Sequence, residues 1–167
     1  MSKAFTREDD SADEPILRPQ LPSLPPGVKN YLTSDGAERL RKELEHLTQV
    51  ERPRVGALFD RDEAKRQLQI LNQRIAQLGH SLQSAEIVQA PLEPEQVIRF
   101  GAIVTVRNRA GDETEYRIVG VDETDIDRGW VSWRSPIARA LINARLGQRV
   151  RFRFPAGEDE LEIIRVN

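Results

Sequence analysis

The spacing of leucine and isoleucine in the first half of the chain constrains the fold most. In the later of two apolar runs the intervals are 3, 4, 3 and 4 residues, the spacing of the inward positions of a coiled coil. This run consists of Leu68, Leu71, Ile75, Leu78 and Leu82. The earlier run consists of Leu40, Leu44, Leu47 and Leu58. No glycine or proline separates Leu58 from Leu68, so the two runs predict an antiparallel helical hairpin with a tight tip.

Capping residues and one proline predict where the two helices begin and end. The first helix is expected to start near Thr33 or Asp35, where Glu38 follows Asp35 at the capping-box spacing, and to reach about Phe59. Pro53 lacks the amide hydrogen that a helix interior needs, so it should kink this helix or end a segment near Arg52. The second helix is expected to span about residues 61–84.

A charged tetrad, Asp60-Arg61-Asp62-Glu63, lies between the two periodic runs and therefore at the tip of the predicted hairpin. Carboxylates at the end of a stalk have no reacting group of their own nearby. The tetrad thus indicates a device that delivers acid groups, or a plug, into the pocket of another protein. The alternative is an ordinary solvated turn between two helices.

The composition excludes several classes of function. A net charge of −2, from 25 basic and 27 acidic residues, argues against bulk nucleic-acid binding. The absence of cysteine excludes disulfides and thiolate metal sites, and the two histidines, His46 and His80, are too few for a three-histidine zinc site. We assign these histidines no chemistry. The N-terminus lacks the apolar core of a signal peptide, and no apolar run is long enough to span a membrane, so a cytoplasmic protein is expected.

The distribution of proline and strand-like segments predicts four regions. Residues 1–29 are proline-rich and lack periodicity, so a disordered or loosely docked tail is expected. Residues 30–90 form the coiled coil, residues 91–96 a linker, and residues 97–167 a second domain. Strands are expected at 102–107, 115–121, 129–133, 149–154 and 161–166. Ser135-Pro136 is an N-cap followed by a proline suited to a first helical turn, which predicts one helix over 136–144. The fold class is therefore α+β.

Several short strings of the sequence together indicate a protein family. The N-terminal strings are Asn30-Tyr31-Leu32-Thr33-Ser34-Asp35-Gly36 and Glu51-Arg52-Pro53-Arg54-Val55. The C-terminal strings are Tyr116-Arg117-Ile118-Val119-Gly120, Asp122-Glu123, Ser135-Pro136-Ile137-Ala138-Arg139-Ala140-Leu141, Gly147 and Pro155-Ala156-Gly157. Each string is a weak signal alone, whereas their order and spacing over about residues 30–167 are specific. In this combination they resemble the Gre family of bacterial transcription elongation factors, and most closely its GreB branch.

The resemblance implies a fold, a partner and a mode of action. The family combines an N-terminal antiparallel coiled coil with a small FKBP-like α+β domain. It implies that the C-terminal domain docks at the rim of the secondary channel of RNA polymerase, here through Ser135, Pro136, Ile137 and Arg139. It also implies that the tip acids Asp60 and Glu63 help to hold Mg²⁺ in the polymerase active site, where backtracked RNA is cleaved. The protein would be an accessory factor with no cofactor of its own.

Basic residues on the stalk suggest a second kind of contact. They are Arg52, Arg54, Lys65, Arg66 and Arg74. A basic face of this kind is able to meet the 3′ end of the nascent RNA or the channel wall, while little or no direct DNA binding is expected. The plainer interpretation, ordinary solvated charge on a stalk, is the one the sequence favours.

The tip also departs from the family pattern. Phe59 replaces a glycine, Ala64 replaces an asparagine, and Lys65 and Arg66 stand near positions of an acid and a tyrosine. Each helix is about one heptad shorter than the family pattern, which retracts the tip by about 10 Å. This predicts an alternative function, a cleavage-deficient variant that plugs the channel or competes for it.

Two hypotheses of other classes remain open from the residues alone. Aromatic residues of the second domain suggest a prolyl isomerase pocket, although aromatics at alternating strand positions more often form a core. They are Phe100, Tyr116, Trp130, Trp133, Phe152 and Phe154. A generic coiled-coil adaptor would instead be a stable homodimer, whereas an intramolecular hairpin predicts a monomer.

Overall fold

The structure is a computed structural model that describes residues 24–89 and 96–167. Residues 1–23 of the predicted tail and residues 91–95 of the predicted linker lie outside the described residues. The described chain forms a helical hairpin followed by a five-stranded sheet with one short helix. The α+β fold class is confirmed.

The hairpin consists of two antiparallel arms. The first arm contains α1 (Ser34–His46), a π-helical turn (Leu47–Glu51) and α2 (Arg52–Gly56). The second arm is α3 (Arg61–Ser84), which matches the predicted bounds and is about 36 Å long. The first arm ends at Gly56 and not near Phe59, because the chain turns at Ala57 to reach the N-cap of α3.

The π-helical turn explains why the apolar pattern of the first arm is irregular. The Arg52 N–H donates to the carbonyl of Leu47, five residues back, so this turn contains about one extra residue. The extra residue moves Val55 into the inward position that the heptad count gives to Arg54. Val55 is accordingly buried, at 6% exposure, and Leu58 lies beyond the end of the helix. The predicted segment boundary at Pro53 is confirmed, since α2 begins at Arg52.

Two short strands at the base of the hairpin were not predicted. β1 (Asn30–Thr33) pairs in parallel with β2 (Ala85–Val88). The sequence analysis expected the first helix to follow the tail directly and the coiled coil to extend to residue 90, with no strand at either place. Parallel strands require a long crossover, and here the whole hairpin supplies it. The base is packed by a small cluster that includes Leu32, Ala37, Leu40 and Leu78.

The C-terminal domain is a curled sheet with the strand order β5-β4-β3-β7-β6. Its strands are β3 (Ile103–Arg107), β4 (Glu113–Val119), β5 (Trp130–Ser132), β6 (Arg149–Phe154) and β7 (Gly157–Val166). All neighbouring pairs are antiparallel except β4 and β5, which are parallel. The five predicted strands are confirmed, β6 with its predicted bounds and the other four with shifted ends.

One short helix, α4 (Pro136–Leu141), covers the sheet and closes the core of this domain. It ends three residues before the predicted limit, and the backbone of Asn143 then has a positive φ of 68°. Ala138 and Leu141 of α4 are fully buried against core residues such as Ile118 and Ile163. A 3₁₀ turn (Val121–Glu123) follows β4 and faces the base of the hairpin.

Candidate functional site: the tip of the helical hairpin

The tip is the four-residue turn from Ala57 to Asp60 together with the first turn of α3. Asp60 is the N-cap of α3, and its Oδ1 accepts hydrogen bonds from the N–H groups of Asp62 at 2.9 Å and Glu63 at 3.1 Å. The N-terminus of a helix favours a negative charge, so an acid is well suited to this position. Asp60 therefore has a structural role besides any functional one.

The pKa values of both predicted tip acids are lowered. Hydrogen bonds from the backbone of Glu63 and of Asp62 lower the pKa of Asp60. The pKa of Glu63 is also lowered, first by the hydrogen bond from Arg66 and next by that from Gln67. The Glu63 Oε2 lies 2.7 Å from the Arg66 guanidinium and the Oε1 lies 2.6 Å from the Gln67 amide nitrogen. Both side chains are thus carboxylates at neutral pH.

The lowered pKa of Asp60 predicts an acid-sensitive helix end. A carboxyl group whose pKa is lower in the folded state stabilises that state above its unfolded pKa, about 3.9, and stops doing so as the pH falls through the folded value. Asp60→Asn keeps a capping side chain but has no charge to lose. We expect the difference in unfolding midpoint between the wild type and Asp60→Asn to shrink when the pH falls from 5 to below 3. A difference that stays constant over this range would contradict this role of the charge.

Most of the basic residues of the stalk are already paired. Arg54 contacts Glu51 at 2.6 Å, Arg66 contacts Glu63 at 2.7 Å, and Arg74 contacts Glu43 on the opposite arm at 2.8 Å. Arg52 and Lys65 are exposed and make no ion pair with any described residue. The proposed basic face is therefore reduced to two uncommitted side chains, which agrees with the interpretation as mostly solvated charge.

A fully exposed aromatic residue lies next to the acids. Phe59 has a relative exposure of 102%, so its ring packs on nothing else in the described chain. Sequence reasoning noted this residue only as a replacement for glycine, and did not predict that the ring would be so exposed. An exposed phenylalanine gives the tip an apolar contact surface in addition to its two carboxylates.

The residues predicted to dock on the polymerase surround the start of α4. The Ser135 Oγ accepts from the Ala138 N–H at 3.2 Å and so caps the helix, with Pro136 in the first turn. Ile137 packs against the domain core, whereas Pro136 and Arg139 are exposed. Of the predicted set, only these last two have exposed side chains.

Most of the aromatic residues of the C-terminal domain are used in packing, whereas Phe154 is exposed. Phe100, Tyr116, Trp133 and Phe152 lie against the core, and Tyr31 of β1 packs edge-on to Trp133 with ring centroids 5.4 Å apart. Trp130 is covered by three guanidinium groups, of which that of Arg39 is nearest at 4.3 Å. Within residues 24–89 and 96–167, no group of three or more His, Cys, Asp or Glu side chains is arranged to hold a metal ion.

The geometry defines a class of protein, a small α+β domain that carries charged side chains at the far end of a helical hairpin. Residues 93–167 match the family described as "Transcription elongation factor, GreA/GreB, C-term". The GreA of Alkalilimnicola ehrlichii is 40% identical to this chain over 150 residues, which cover 81% of the chain and 95% of that protein. The GreB of Pasteurella multocida is 38% identical over 141 residues, which cover 77% of the chain and 89% of that protein.

The chain therefore belongs to the GreA/GreB family of transcription elongation factors. A solved structure from Nitrosomonas europaea, titled as a prokaryotic transcription elongation factor GreA/GreB, is 24% identical with a TM-score of 0.41, covering 83% of this chain and 99% of that one. GreA and GreB relatives match at similar identity, so the closer resemblance to GreB stays a prediction. Among the described residues, no helix is long and apolar enough to cross a membrane.

Proposed function

We propose that the protein binds bacterial RNA polymerase at the secondary channel and acts on elongation complexes through the tip of its hairpin. In this proposal the C-terminal domain docks at the channel rim around α4, and the hairpin enters the channel. Asp60 and Glu63 then stimulate the cleavage of backtracked RNA in the polymerase active site. The protein itself is an accessory factor in the cytoplasm, and the bond is broken by the polymerase.

One observation carries this proposal: two ionised carboxylates lie at the exposed end of a stalk about 36 Å long. Within the described residues, no group of three or more His, Cys, Asp or Glu side chains gives them a metal site of their own. A stalk of this kind is suited to reach a site in another molecule. The apolar seam of the hairpin, including Leu40 and Leu78, is buried between its own arms, which supports a monomer over a homodimeric adaptor.

The tip acids fit the ligand preference of Mg²⁺, which binds carboxylate oxygens. In the described chain the Oδ2 of Asp60 accepts no hydrogen bond, so it is open to a ligand while Oδ1 caps the helix. Glu63 would have to exchange its bonds from Arg66 and Gln67 for a metal or a water. A pair of metal ions at a phosphoryl site holds the attacking and leaving oxygens, and this is the chemistry that the polymerase metals would supply.

The test is RNA cleavage in defined backtracked complexes of the cognate polymerase. The wild-type protein is expected to speed cleavage and to be displaced by an excess of a cleavage-competent Gre factor. A protein that neither speeds cleavage nor is displaced does not use the channel, and that result would reject the proposal. Arg139→Ala tests whether the C-terminal domain docks through α4. It removes an exposed side chain of this helix and is expected to raise the half-saturating concentration.

A second candidate function is channel competition without cleavage, and the exposed ring of Phe59 favours it. A phenylalanine with 102% exposure stabilises nothing in its own chain, yet it gives the tip an apolar contact that glycine lacks. In this function the protein slows cleavage by a cleavage-competent Gre factor when added in excess. The sign of the effect on cleavage distinguishes the two candidates.

A Phe59→Ser variant distinguishes a role of the ring in polymerase binding from a role in the stability of the fold. We expect Phe59→Ser to leave the free energy of unfolding within about 0.5 kcal/mol of the wild type, because an exposed ring loses no packing. If the ring contacts the polymerase, the same variant binds the enzyme about tenfold more weakly, the loss of about 1.4 kcal/mol typical of a good contact. Denaturant unfolding and polymerase titration measure the two quantities. Unchanged binding would exclude Phe59 as a contact residue.

A further inference from the structure

The side chain of Glu123 is completely buried at the junction between the hairpin and the C-terminal domain. It belongs to the 3₁₀ turn after β4, yet its carboxylate lies at the N-terminus of α1 in the other half of the molecule. A buried carboxylate is retained only where hydrogen bonds and charges compensate it. Its partners therefore indicate what it does.

The two oxygens of Glu123 meet the start of the hairpin from the opposite domain. The Oε2 accepts from the N–H groups of Thr33 and Gly120, each at 2.9 Å. The Oε1 accepts from the hydroxyl of Thr33, which itself caps α1 by accepting from the Gly36 N–H at 3.0 Å. The Arg39 guanidinium is 3.7 Å from the Oε1. The positive end of α1 is thus fixed to the C-terminal domain through one carboxylate.

The backbone of two glycines lies close to the surface of the opposite domain around this carboxylate. A Cβ atom at Gly36 would lie 1.7 Å from the Glu123 Oε1, so the carboxylate reaches the helix only because position 36 has no side chain. A Cβ at Gly120 would lie 2.1 Å from the carbonyl oxygen of Tyr31. The two surfaces are therefore in direct contact at both glycines.

The neighbouring residue Asp122 holds the other arm of the hairpin. Its Oδ2 accepts from the Ser81 hydroxyl of α3, and Ser81 is also bonded to Asn30 of β1 at 3.1 Å through its carbonyl. The consecutive acids Asp122 and Glu123 thus bind both arms of the hairpin at its base, Asp122 through α3 and Glu123 through the start of α1. Contacts with both arms restrict the rotation of the hairpin more than a contact with one arm alone.

We propose that Glu123, together with Asp122, is the positioning residue that sets the direction of the hairpin relative to the C-terminal domain. The inference rests on the proposed function, because direction matters only if the domain and the tip act at separate places on one partner. From Ser81 to Arg61 the lever is about 30 Å, so a rotation of about 10° at the base moves the tip by about 5 Å. Displacements of even about 1 Å impair catalytic geometry.

The first experiment measures the direction of the hairpin relative to the C-terminal domain. The chain contains no cysteine, so Gln69→Cys and Arg165→Cys introduce a unique pair of exposed spin-label sites on the hairpin and the sheet. The wild type is expected to give one narrow distance distribution. Glu123→Ala is expected to widen or shift it by about 3 Å, the displacement of Gln69 for a rotation of about 10°. A distribution with both the width and the mean distance of the wild type would overturn the proposal.

Matched variants separate positioning from general stability. Asp35→Asn breaks a 2.9 Å ion pair with Arg117 across the same junction, but Asp35 is 71% exposed, so the distribution should stay narrow. Ile163→Val weakens the core of the C-terminal domain and should also leave it narrow. Widening by Ile163→Val equal to that by Glu123→Ala would overturn the proposal. If Glu123→Ala does not fold, Glu123→Asp shortens the side chain by one methylene and withdraws the carboxylate from the Thr33 N–H, and a wild-type distribution for it would count equally against the proposal.

The second experiment measures how the protein affects RNA cleavage by the polymerase. The Glu123 variant is expected to keep the half-saturating concentration within about twofold, because docking uses another surface, and to lose about tenfold or more of the maximal effect on cleavage. A rise in the half-saturating concentration with an unchanged maximum would overturn the positioning role. If the wild type itself does not bind the polymerase, the proposed function fails, while the distance measurement still decides whether Glu123 fixes the hairpin.

Discussion

Replacing Asp60 and Glu63 together by alanine is expected to lower the stimulated rate of RNA cleavage by about 100-fold or more. Even outer partners of a metal site contribute about 10–100-fold to activity, and these carboxylates are proposed to act at the metal itself. The rate of cleavage in stalled, backtracked complexes at saturating protein measures the effect. The half-saturating concentration should change little, because the docking surface around α4 is untouched.

The design must separate the loss of charge from damage to the helix. Asp60→Ala also removes the cap of α3, which costs about 1 kcal/mol of stability. Asp60→Asn keeps a good cap and loses only the charge, so equal defects in both variants assign the effect to the carboxylate. Asp62→Ala is the matched control, since it removes an exposed acid from the same turn but leaves the Asp60 and Glu63 pair intact. A double variant as active as the wild type would show that the tip acids do not reach the metal.

Replacing Gly120 by alanine is expected to destabilise the protein by about 1–3 kcal/mol or more, the usual cost of overpacking a close contact. The added Cβ would lie 2.1 Å from the backbone carbonyl of Tyr31, which cannot move without displacing β1. The same change disturbs the hydrogen bond from the Gly120 N–H to Glu123. The free energy of unfolding from denaturant titration, followed by far-ultraviolet circular dichroism, measures the loss.

The matched control for Gly120 is a glycine with free space around it. Gly79 lies within α3, and a Cβ there would meet nothing within 4 Å. Gly79→Ala should therefore stabilise the hairpin by up to about 1 kcal/mol, the difference in helix propensity between the two residues. The two substitutions are chemically identical and are expected to have opposite signs. Destabilisation by both, or by neither, would contradict the close contact between β1 and the turn after β4.

The local features of the fold could be predicted because each is encoded within a few consecutive residues. The 3-4 spacing of Leu68 to Leu82 predicts a helix with one apolar stripe, and Asp60 marks where that helix begins. Ser135-Pro136 likewise marks the start of α4. The location of the tip acids at the end of the hairpin follows from these signals alone.

Some of the site could not be predicted, since it depends on geometry that no short pattern encodes. The heptad count places Arg54 inward, but the π-helical turn before Pro53 adds a residue and turns Val55 inward instead. The pairing of most stalk arginines with nearby acids depends on side-chain conformations. The exposure of Phe59 depends on where the first arm ends.

The sequence by itself determined the helical hairpin, the ends of α3, the five strands of the second domain and the acids at the tip. Only the tertiary structure decided how the hairpin joins that domain. β1 meets β2 across 55 positions, and Thr33 meets Glu123 across 90. Periodicity and caps act over one or two turns of chain, whereas a contact between distant residues forms only when both surfaces are folded. Glu123 was visible in the sequence only as one acid of a short string, and its burial follows from the packing of the two domains.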